Sequence, residues 1–240
     1  WDLVEPPGKC LNFDGSDDYV SVADDPSLDL NDMTLEAWIN PGTGYGLEDD
    51  GHIDIVSRWG EGGAGNASYL LAITSGGLVN GRIFDGTTSQ SVTSASAIPI
   101  NRWSHVALIR NGASMQLYID GQPDGSPVLN SIVPQASGYD LHIGNEPLGG
   151  NTFKGKIDEV RIWNTVRSET EIRDNMNQPL IGNESGLVSY CQFDPARGII
   201  LPDMAGSNDG TLYNMDNSDW QESYAMIRPG TLPATNVGNT

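Results

Sequence analysis

The chain is dominated by short segments in which β-branched and aromatic residues alternate with polar ones. Met33 to Ile39, His105 to Arg110 and Gly155 to Trp163 are clear examples, and turn-forming residues separate such segments. A period of two in residues of this kind is typical of strands. Many short strands divided by turns predict an all-β fold for these 240 residues, a two-sheet antiparallel jelly-roll sandwich.

Two local signals predict particular elements. Asn111-Gly112, between His105–Arg110 and Met115–Asp120, predicts a hairpin because this dipeptide suits turn positions with positive φ. Ser168 and Glu171 have the spacing of a capping box, which predicts the one convincing helix, over residues 168–175.

The net charge of −20 excludes nucleic acid as a partner, because phosphate backbones require basic patches. It also disfavours anionic membrane surfaces, and no apolar run is long enough for membrane insertion. Most of the carboxylates should therefore be solvated, with a minority available to bind divalent cations.

Asp158 stands out within the segment Gly155 to Trp163. Strand alternation predicts that it shares a face with Val160 and Ile162, which should point into the core. A buried carboxylate is costly unless a charge, a metal or several donors meet it. Asp158 is therefore expected to have a specific partner.

The sequence gives no support for catalysis. Glycoside hydrolysis needs two carboxylates in a defined arrangement, and no Glu-x-Asp-x-Glu strand pattern is present. His52-Ile53-Asp54 is the nearest approach, and the three histidines lack zinc-ligand spacing. No nucleophile elbow or phosphate-binding glycine loop occurs either.

Several motifs occur in an order that resembles the laminin-G-like, concanavalin A-like jelly-roll domains and, within them, the pentraxins. The resemblance covers roughly residues 9–213. Its motifs are Leu11–Gly15, Asp18–Val20, Thr34–Ile39, Trp103–Gly121 and Gly155–Trp163.

This resemblance implies a structural calcium between an N-terminal segment and an aspartate of a late strand. Asp158 would be that aspartate, with Asp14 and Asp18 as further ligands. The alternative is that Asp158 accepts hydrogen bonds from backbone amides of the turn.

Pentraxins also imply a ligand-bearing calcium loop, which corresponds here to Asn145 and Glu146, with Asn66 near a further position. This loop is short and lacks the additional acidic residues of the pentraxin site. An ordinary loop role for Asn145 and Glu146 therefore stays open.

The acidic loop at 44–54 offers a different ligand site. Tyr45 and Trp59 could form an aromatic platform for a sugar, with Asp49 and Asp50 accepting hydroxyl hydrogen bonds. Tyr69 is another candidate for the exposed aromatic residue. The alternative is a solvated loop without a ligand.

In the family fold the first and last strands lie close together, which implies a disulfide between Cys10 and Cys191. Two buried thiols are the alternative. The end of the chain resembles the opening of a fibronectin type III domain, so residues 1–228 are interpreted as the jelly-roll domain and 229–240 as a linker to a following domain.

These inferences together predict a non-catalytic, calcium-stabilised carbohydrate-binding or adhesion module of a secreted or cell-surface multidomain protein. Its partner would be a glycan or a cell-surface or matrix ligand. A structural spacer without ligand, or an accessory domain of a polysaccharide-degrading enzyme, remains the alternative.

Overall fold

The computed structural model describes residues 8–43, 51–60, 67–194 and 198–225. Alternating aliphatic residues build these segments into strands, with one short α-helix and one 3-10 turn, Pro26–Leu28. The strands are β1 (Lys9–Asp14), β2 (Tyr19–Val22), β3 (Met33–Pro41), β4 (His52–Ser57), β5 (Tyr69–Thr74), β6 (Leu78–Phe84), β7 (Ser89–Ala97), β8 (Ser104–Arg110), β9 (Ser114–Ile119), β10 (Gln122–Leu129), β11 (Leu141–Ile143), β12 (Lys154–Trp163), β13 (Leu187–Cys191), β14 (Ile200–Leu201), β15 (Gly210–Tyr213) and β16 (Trp220–Glu222); the helix α1 spans Glu169–Asn175.

The strands form two antiparallel sheets of eight strands each. Sheet I has the order β10-β9-β8-β3-β12-β1-β16, and β13 also pairs with β12. Sheet II has the order β14-β15-β2-β11-β4-β5-β6-β7. Both agree with the predicted jelly-roll sandwich, in which the first and last strands of a sequence become neighbours.

The core lies between the two sheets and is aliphatic. From sheet I, β3 contributes Leu35, Ala37 and Ile39, and from sheet II, β2 contributes Val20 and Val22. Removal of this apolar surface from water is the main source of stability for a sandwich.

The predicted helix and hairpin are confirmed. Ser168 caps α1, and the reciprocal capping-box bonds with Glu171 are both present. Ile172 of α1 is buried against Ala107 and Ile109 on the outer face of sheet I. Between β8 and β9, Gly112 has a φ of 78°, as the hairpin requires.

The predicted face of Asp158 is wrong, because β12 contains a β-bulge. The pairing with β3 shifts between Asp158 and Arg161, and Glu159 has a φ of 53°. The extra residue breaks the alternation, so Asp158 lies opposite Trp38 on the outer face of sheet I, while Val160 remains in the core.

The bulge also creates a buried ion pair. Arg161 Nη2 donates to Glu159 Oε2 at 2.7 Å, and the guanidinium reaches the backbone oxygens of Asn175 (3.0 Å) and Gln178 (2.7 Å). Tyr190 donates its hydroxyl to Glu159. The network fastens the end of α1 to sheet I, which is why this outer face is buried.

The expected disulfide is not formed, and Cys10 and Cys191 are free, buried thiols. Cys191 belongs to the core between the sheets. Cys10 precedes the core residue Leu11 and faces the other side of sheet I, where the Asp158 carboxylate adds to burial in raising the pKa of its thiol to about 12. Their strands, β1 and β13, pair with the same edge of β12, but the two thiols point to opposite faces of sheet I.

Within the described ranges no helix is long and apolar enough to cross a membrane. The predicted linker at 229–240 lies outside the described residues.

Candidate functional site

The turn between β1 and β2 gathers three carboxylates. Asp14, Asp17 and Asp18 each place a carboxylate oxygen within 4.8 Å of the others. The turn is fixed by its own side chains, because Asp18 Oδ2 accepts the Asp14 N–H at 2.8 Å and Asp14 Oδ1 accepts the Ser16 N–H at 2.7 Å. Asp17 was not among the predicted ligands, although it stands in the same turn.

The electrostatics of this acidic turn are unfavourable without a cation. Asp18 is only 4% exposed. Its burial, assisted by the nearby charges of Asp14, Asp219 and Asp17, raises its pKa to about 6, although the Asp14 N–H acts in the opposite direction. Three converging carboxylates are hard oxygen donors of the kind that Ca²⁺ prefers. The donor set therefore fits calcium.

Asp158 lies apart from this turn. Asp14 pairs with Lys154, four residues before Asp158, so the two aspartates are separated by about 13 Å along the strands. Asp158 instead accepts hydrogen bonds from the Ser223 hydroxyl and from the Glu159 N–H (2.8 Å). Burial, together with the Glu159 charge, raises its pKa well above the ordinary range. The structure brings Asp14 and Asp18 together and leaves Asp158 out.

Asn145 and Glu146 are almost fully buried in the loop between β11 and β12. Asn145 Oδ1 lies 2.7 Å from His142 Nδ1, and Glu146 Oε2 accepts from the Asn151 side chain at 2.8 Å. The loop is joined to β4 because Asp54 donates its N–H to the Asn151 carbonyl at 2.9 Å. Both predicted ligand residues thus serve in a polar cluster that shapes the loop.

Trp59 and Tyr69, two of the candidates for an exposed aromatic residue, are both buried. Trp59 is 8% exposed, packs edge-on against Phe84 and lies beneath the Arg82 guanidinium, 5.3 Å from the ring centroid. Tyr69 is fully buried and donates its hydroxyl to the Leu28 carbonyl at 3.0 Å. The remaining predicted ligand residues lie outside the described residues; they are Tyr45, Asp49, Asp50 and Asn66.

A stack of three rings, which the sequence analysis missed, crosses the outer face of sheet II. Tyr213 and Tyr19 are paired across β15 and β2, with ring centroids 4.8 Å apart and planes at 7°. Tyr19 also stacks on His142 of β11, at 4.7 Å and 18°. We call these residues the aromatic stack. Tyr213, at its outer end, is 45% exposed.

A sequence signal for the stack does exist. Tyr19 and Tyr213 alternate with the core residues Val20 and Leu212, so both belong to outward positions. What the sequence does not reveal is that strands almost two hundred residues apart become neighbours in sheet II.

Fold and comparison together define the class of this chain. Residues 14–173 match the model of the Laminin_G_3 family, described as the concanavalin A-like lectin/glucanases superfamily. The chain belongs to this family, which confirms the resemblance inferred from its motifs.

Three similar proteins are informative. A putative carbohydrate binding protein from Bacteroides ovatus superposes with a TM-score of 0.70 and 23% identity, over 93% of this chain and 62% of that one. A heptameric SAP-like pentraxin from Limulus polyphemus gives a TM-score of 0.51 and 16% identity, over 71% and 82%. The adhesion G-protein coupled receptor V1 of Danio rerio is 25% identical over 129 residues, or 48% of this chain and 2% of the receptor. The chain thus spans a small fraction of that receptor.

Proposed function

We propose that this chain is a non-catalytic, calcium-stabilised carbohydrate-binding or adhesion module of a secreted or cell-surface multidomain protein. The observation that carries the proposal is the outer face of sheet II, where the exposed ring of Tyr213 ends the aromatic stack and polar side chains lie on the same face. Binding sites for small ligands combine aromatic surface with a few placed polar groups. The name of the Bacteroides ovatus protein, a putative carbohydrate binding protein, agrees with this proposal.

A binding role is favoured over hydrolysis by the placement of the acidic groups. Glycosidases hold two carboxyl groups about 5–9.5 Å apart on either side of the scissile bond. Among the described residues, the acidic turn instead gathers three carboxylates, each with an oxygen within 4.8 Å of the others, which suits the ligands of a single ion. Asp158 and Glu159 are buried and bound by Ser223 and Arg161.

Calcium would serve as a structural ion in the acidic turn. Asp14, Asp17 and Asp18 would supply its protein ligands, and its charge would relieve the repulsion among them. The turn connects β1 of sheet I to β2 of sheet II, so a bound ion would hold the two sheets in register at this end. Asn145 and Glu146 would support the loop beside it without contacting ligand.

Adhesion to a surface ligand is the form of this function favoured by the relative named as an adhesion receptor. The multidomain context is proposed on the same ground, because the matched segment is 2% of that receptor. An extracellular location is proposed on the same ground.

A glycan array probed in calcium and again with chelator tests the function. We expect binding to a restricted set of glycans, weakened by chelator, with no release of reducing ends from the same glycans. Silence across the array would favour the spacer, and release of reducing sugar would refute the non-catalytic assignment.

A further inference from the structure

We propose that the outward face of Tyr213 is a stacking subsite for the ring of a neutral hexopyranose or pentopyranose. This inference rests on the proposed carbohydrate-binding function and names its site and its ligand class. It makes Tyr213 the residue that contacts ligand, with Tyr19 and His142 as its support.

The aromatic stack is pre-organised. Because β2 lies between β15 and β11, Tyr19 is covered by Tyr213 on one side and by His142 on the other. Near-parallel rings at 4.7–4.8 Å have the offset stacking that aromatic pairs prefer. His142 is itself held by Asn145, at 2.7 Å. The Tyr213 ring is therefore fixed before a ligand arrives, which lowers the entropic cost of binding.

The other face of Tyr213 is left open by the neighbouring strand. Ile200 pairs with Thr211, and Leu212 donates its N–H to the Ile199 carbonyl at 2.8 Å. Continued by one residue, this register brings Gly198 opposite Tyr213. Gly198 has no side chain to cover the ring, and among the described residues a Cβ built there would have no heavy atom within 4 Å.

The apolar surface continues along the same edge. Ile200 pairs with Thr211, so it points to the same side of sheet II as Tyr213, and it is exposed there. A pyranose ring has one face of C–H groups whose positive polarisation suits the negative face of an aromatic ring. The exposed ring and Ile200 thus match an apolar sugar face.

Polar groups around the stack suit hydroxyls. Asp140 precedes β11, across β2 from Tyr213, and accepts from the Ser21 hydroxyl (3.0 Å) and the Asp24 N–H (2.9 Å). An ionised carboxylate has about four acceptor positions, so Asp140 could accept a hydroxyl from a second sugar of the same glycan. Beside Tyr213, Asn214 donates to the Asp17 carbonyl at 2.9 Å.

Charge decides between neutral and acidic sugars. The chain has a net charge of −20, and Asp140 is an exposed carboxylate on the same face of sheet II. The resulting negative potential repels uronates and sulfated sugars. A neutral glycan binds without that cost.

Affinity electrophoresis tests the subsite, using native gels that contain β-glucan, xylan, galactomannan or, as an acidic probe, polygalacturonate. The variants are Tyr213→Ala, Tyr213→Phe and Tyr224→Ala. Tyr224 is the matched control, because it is 66% exposed and follows β16 of sheet I. Circular dichroism melts establish that each variant folds.

We expect at least one neutral polysaccharide to retard the wild-type chain, and polygalacturonate not to. Tyr213→Ala should weaken binding about tenfold or more, because it removes the stacking surface. Tyr213→Phe keeps the aromatic ring, and Tyr224 follows a strand of the other sheet, so the affinity of both variants should be within about threefold of wild type. In photo-CIDNP NMR of the wild-type chain, the glycan should suppress the Tyr213 signal, which does not depend on any variant folding.

Three results would overturn the inference. If a folded Tyr213→Ala variant binds with wild-type affinity, the subsite is refuted while the proposed carbohydrate-binding function stands. Retardation by polygalacturonate alone would refute the neutral ligand class. A wild-type chain that no polysaccharide retards would refute both the subsite and the proposed function.

Discussion

Replacing Asp18 by asparagine should stabilise the calcium-free chain and weaken its stabilisation by calcium. The side-chain oxygen of asparagine can still accept the Asp14 N–H, which Asp18 Oδ2 accepts in the wild-type chain. The substitution removes a buried charge that lies among other carboxylates. It also removes one of three anionic ligands from the acidic turn.

The magnitude follows from the pKa of Asp18, which is about 6 in place of the ordinary 3.8. At 1.36 kcal/mol per pKa unit, the charged form is disfavoured by about 3 kcal/mol in the folded chain. Water around the exposed Asp14 and Asp17 screens part of this, so we expect a gain of about 1–2 kcal/mol without calcium. For a chain of this size, the Tm should rise by about 3–6 °C.

Calcium should stabilise the Asp18→Asn variant less than it stabilises the wild-type chain. At a concentration of one hundred times its Kd, an ion that binds only the folded state adds about 2.7 kcal/mol, or about 5–10 °C in Tm. If Asp18→Asn weakens binding about tenfold, the gain falls to about 1.4 kcal/mol at the same calcium concentration. The variant should therefore melt above wild type in chelator and gain less from calcium.

Differential scanning calorimetry in calcium and in EDTA measures both effects. Asp85→Asn is the matched control, because Asp85 caps a turn by accepting the N–H groups of Thr87 and Thr88, and these bonds lower its pKa. Loss of the Asp85 charge should lower the Tm and leave the Tm shift caused by calcium unchanged. Melting of Asp18→Asn below wild type in EDTA would show that the Asp18 charge is not destabilising, and a full calcium response would show that Asp18 is not a calcium ligand.

Three further predictions concern residues whose roles the structure revised or revealed. Arg58→Met should lower the free energy of unfolding, measured in urea, by about 3 kcal/mol, because the buried guanidinium binds Asp24, Asp29 and two backbone carbonyls. Arg173→Met is the control: Arg173 is exposed, so its replacement should cost less than about 0.5 kcal/mol. Equal effects of the two substitutions would contradict this prediction. Trp59→Ala should lower the free energy of unfolding by about 3 kcal/mol, because a buried aromatic ring is lost. Its glycan affinity in the gels should stay within about threefold of wild type. Loss of affinity in a folded variant would show that Trp59 contacts the glycan, as the platform hypothesis predicted. Cys10 and Cys191 should resist Ellman's reagent in the native chain and both react in guanidinium, since burial raises both thiol pKa values; a Tm that falls on addition of dithiothreitol would indicate a disulfide instead.

The pH dependence of calcium-free stability provides a check on the same electrostatics. Asp18 binds its proton more tightly in the folded chain than in the unfolded one, so its contribution should fall as the pH rises from about 4 to about 6. Asp18→Asn should remove this decline, which a comparison of melting curves across that range would measure.

The sequence predicted what depends on local patterns. Alternation gave the strands, the Asn-Gly pair gave the β8–β9 hairpin, and Ser168 with Glu171 gave the start of α1. These features succeed because neighbouring residues determine them, through φ preferences and capping bonds.

Failures arose where one residue altered the register or where tertiary contacts decided burial. The bulge at Glu159 moved Asp158 to the outer face of sheet I, and no composition signal marks a non-glycine residue with positive φ. Trp59 follows β4 and was predicted to form part of an aromatic platform, but Phe84 of β6 packs against it and Arg82 covers it.

Part of the candidate site was predictable. Asp14 and Asp18 are four residues apart in a turn rich in aspartate, so their proximity is local. The aromatic stack was not, since β15 and β2 meet only through the order of sheet II. Sites assembled from distant strands need the topology before their residues can be paired.

The most direct measurement for the whole account is a crystal structure grown with calcium and soaked with an oligosaccharide that the array identifies. We expect a sugar ring against the outward face of Tyr213 and a calcium ion bound by Asp14, Asp17 and Asp18. A sugar bound at another surface, with Tyr213 bare and no ion in the acidic turn, would contradict it.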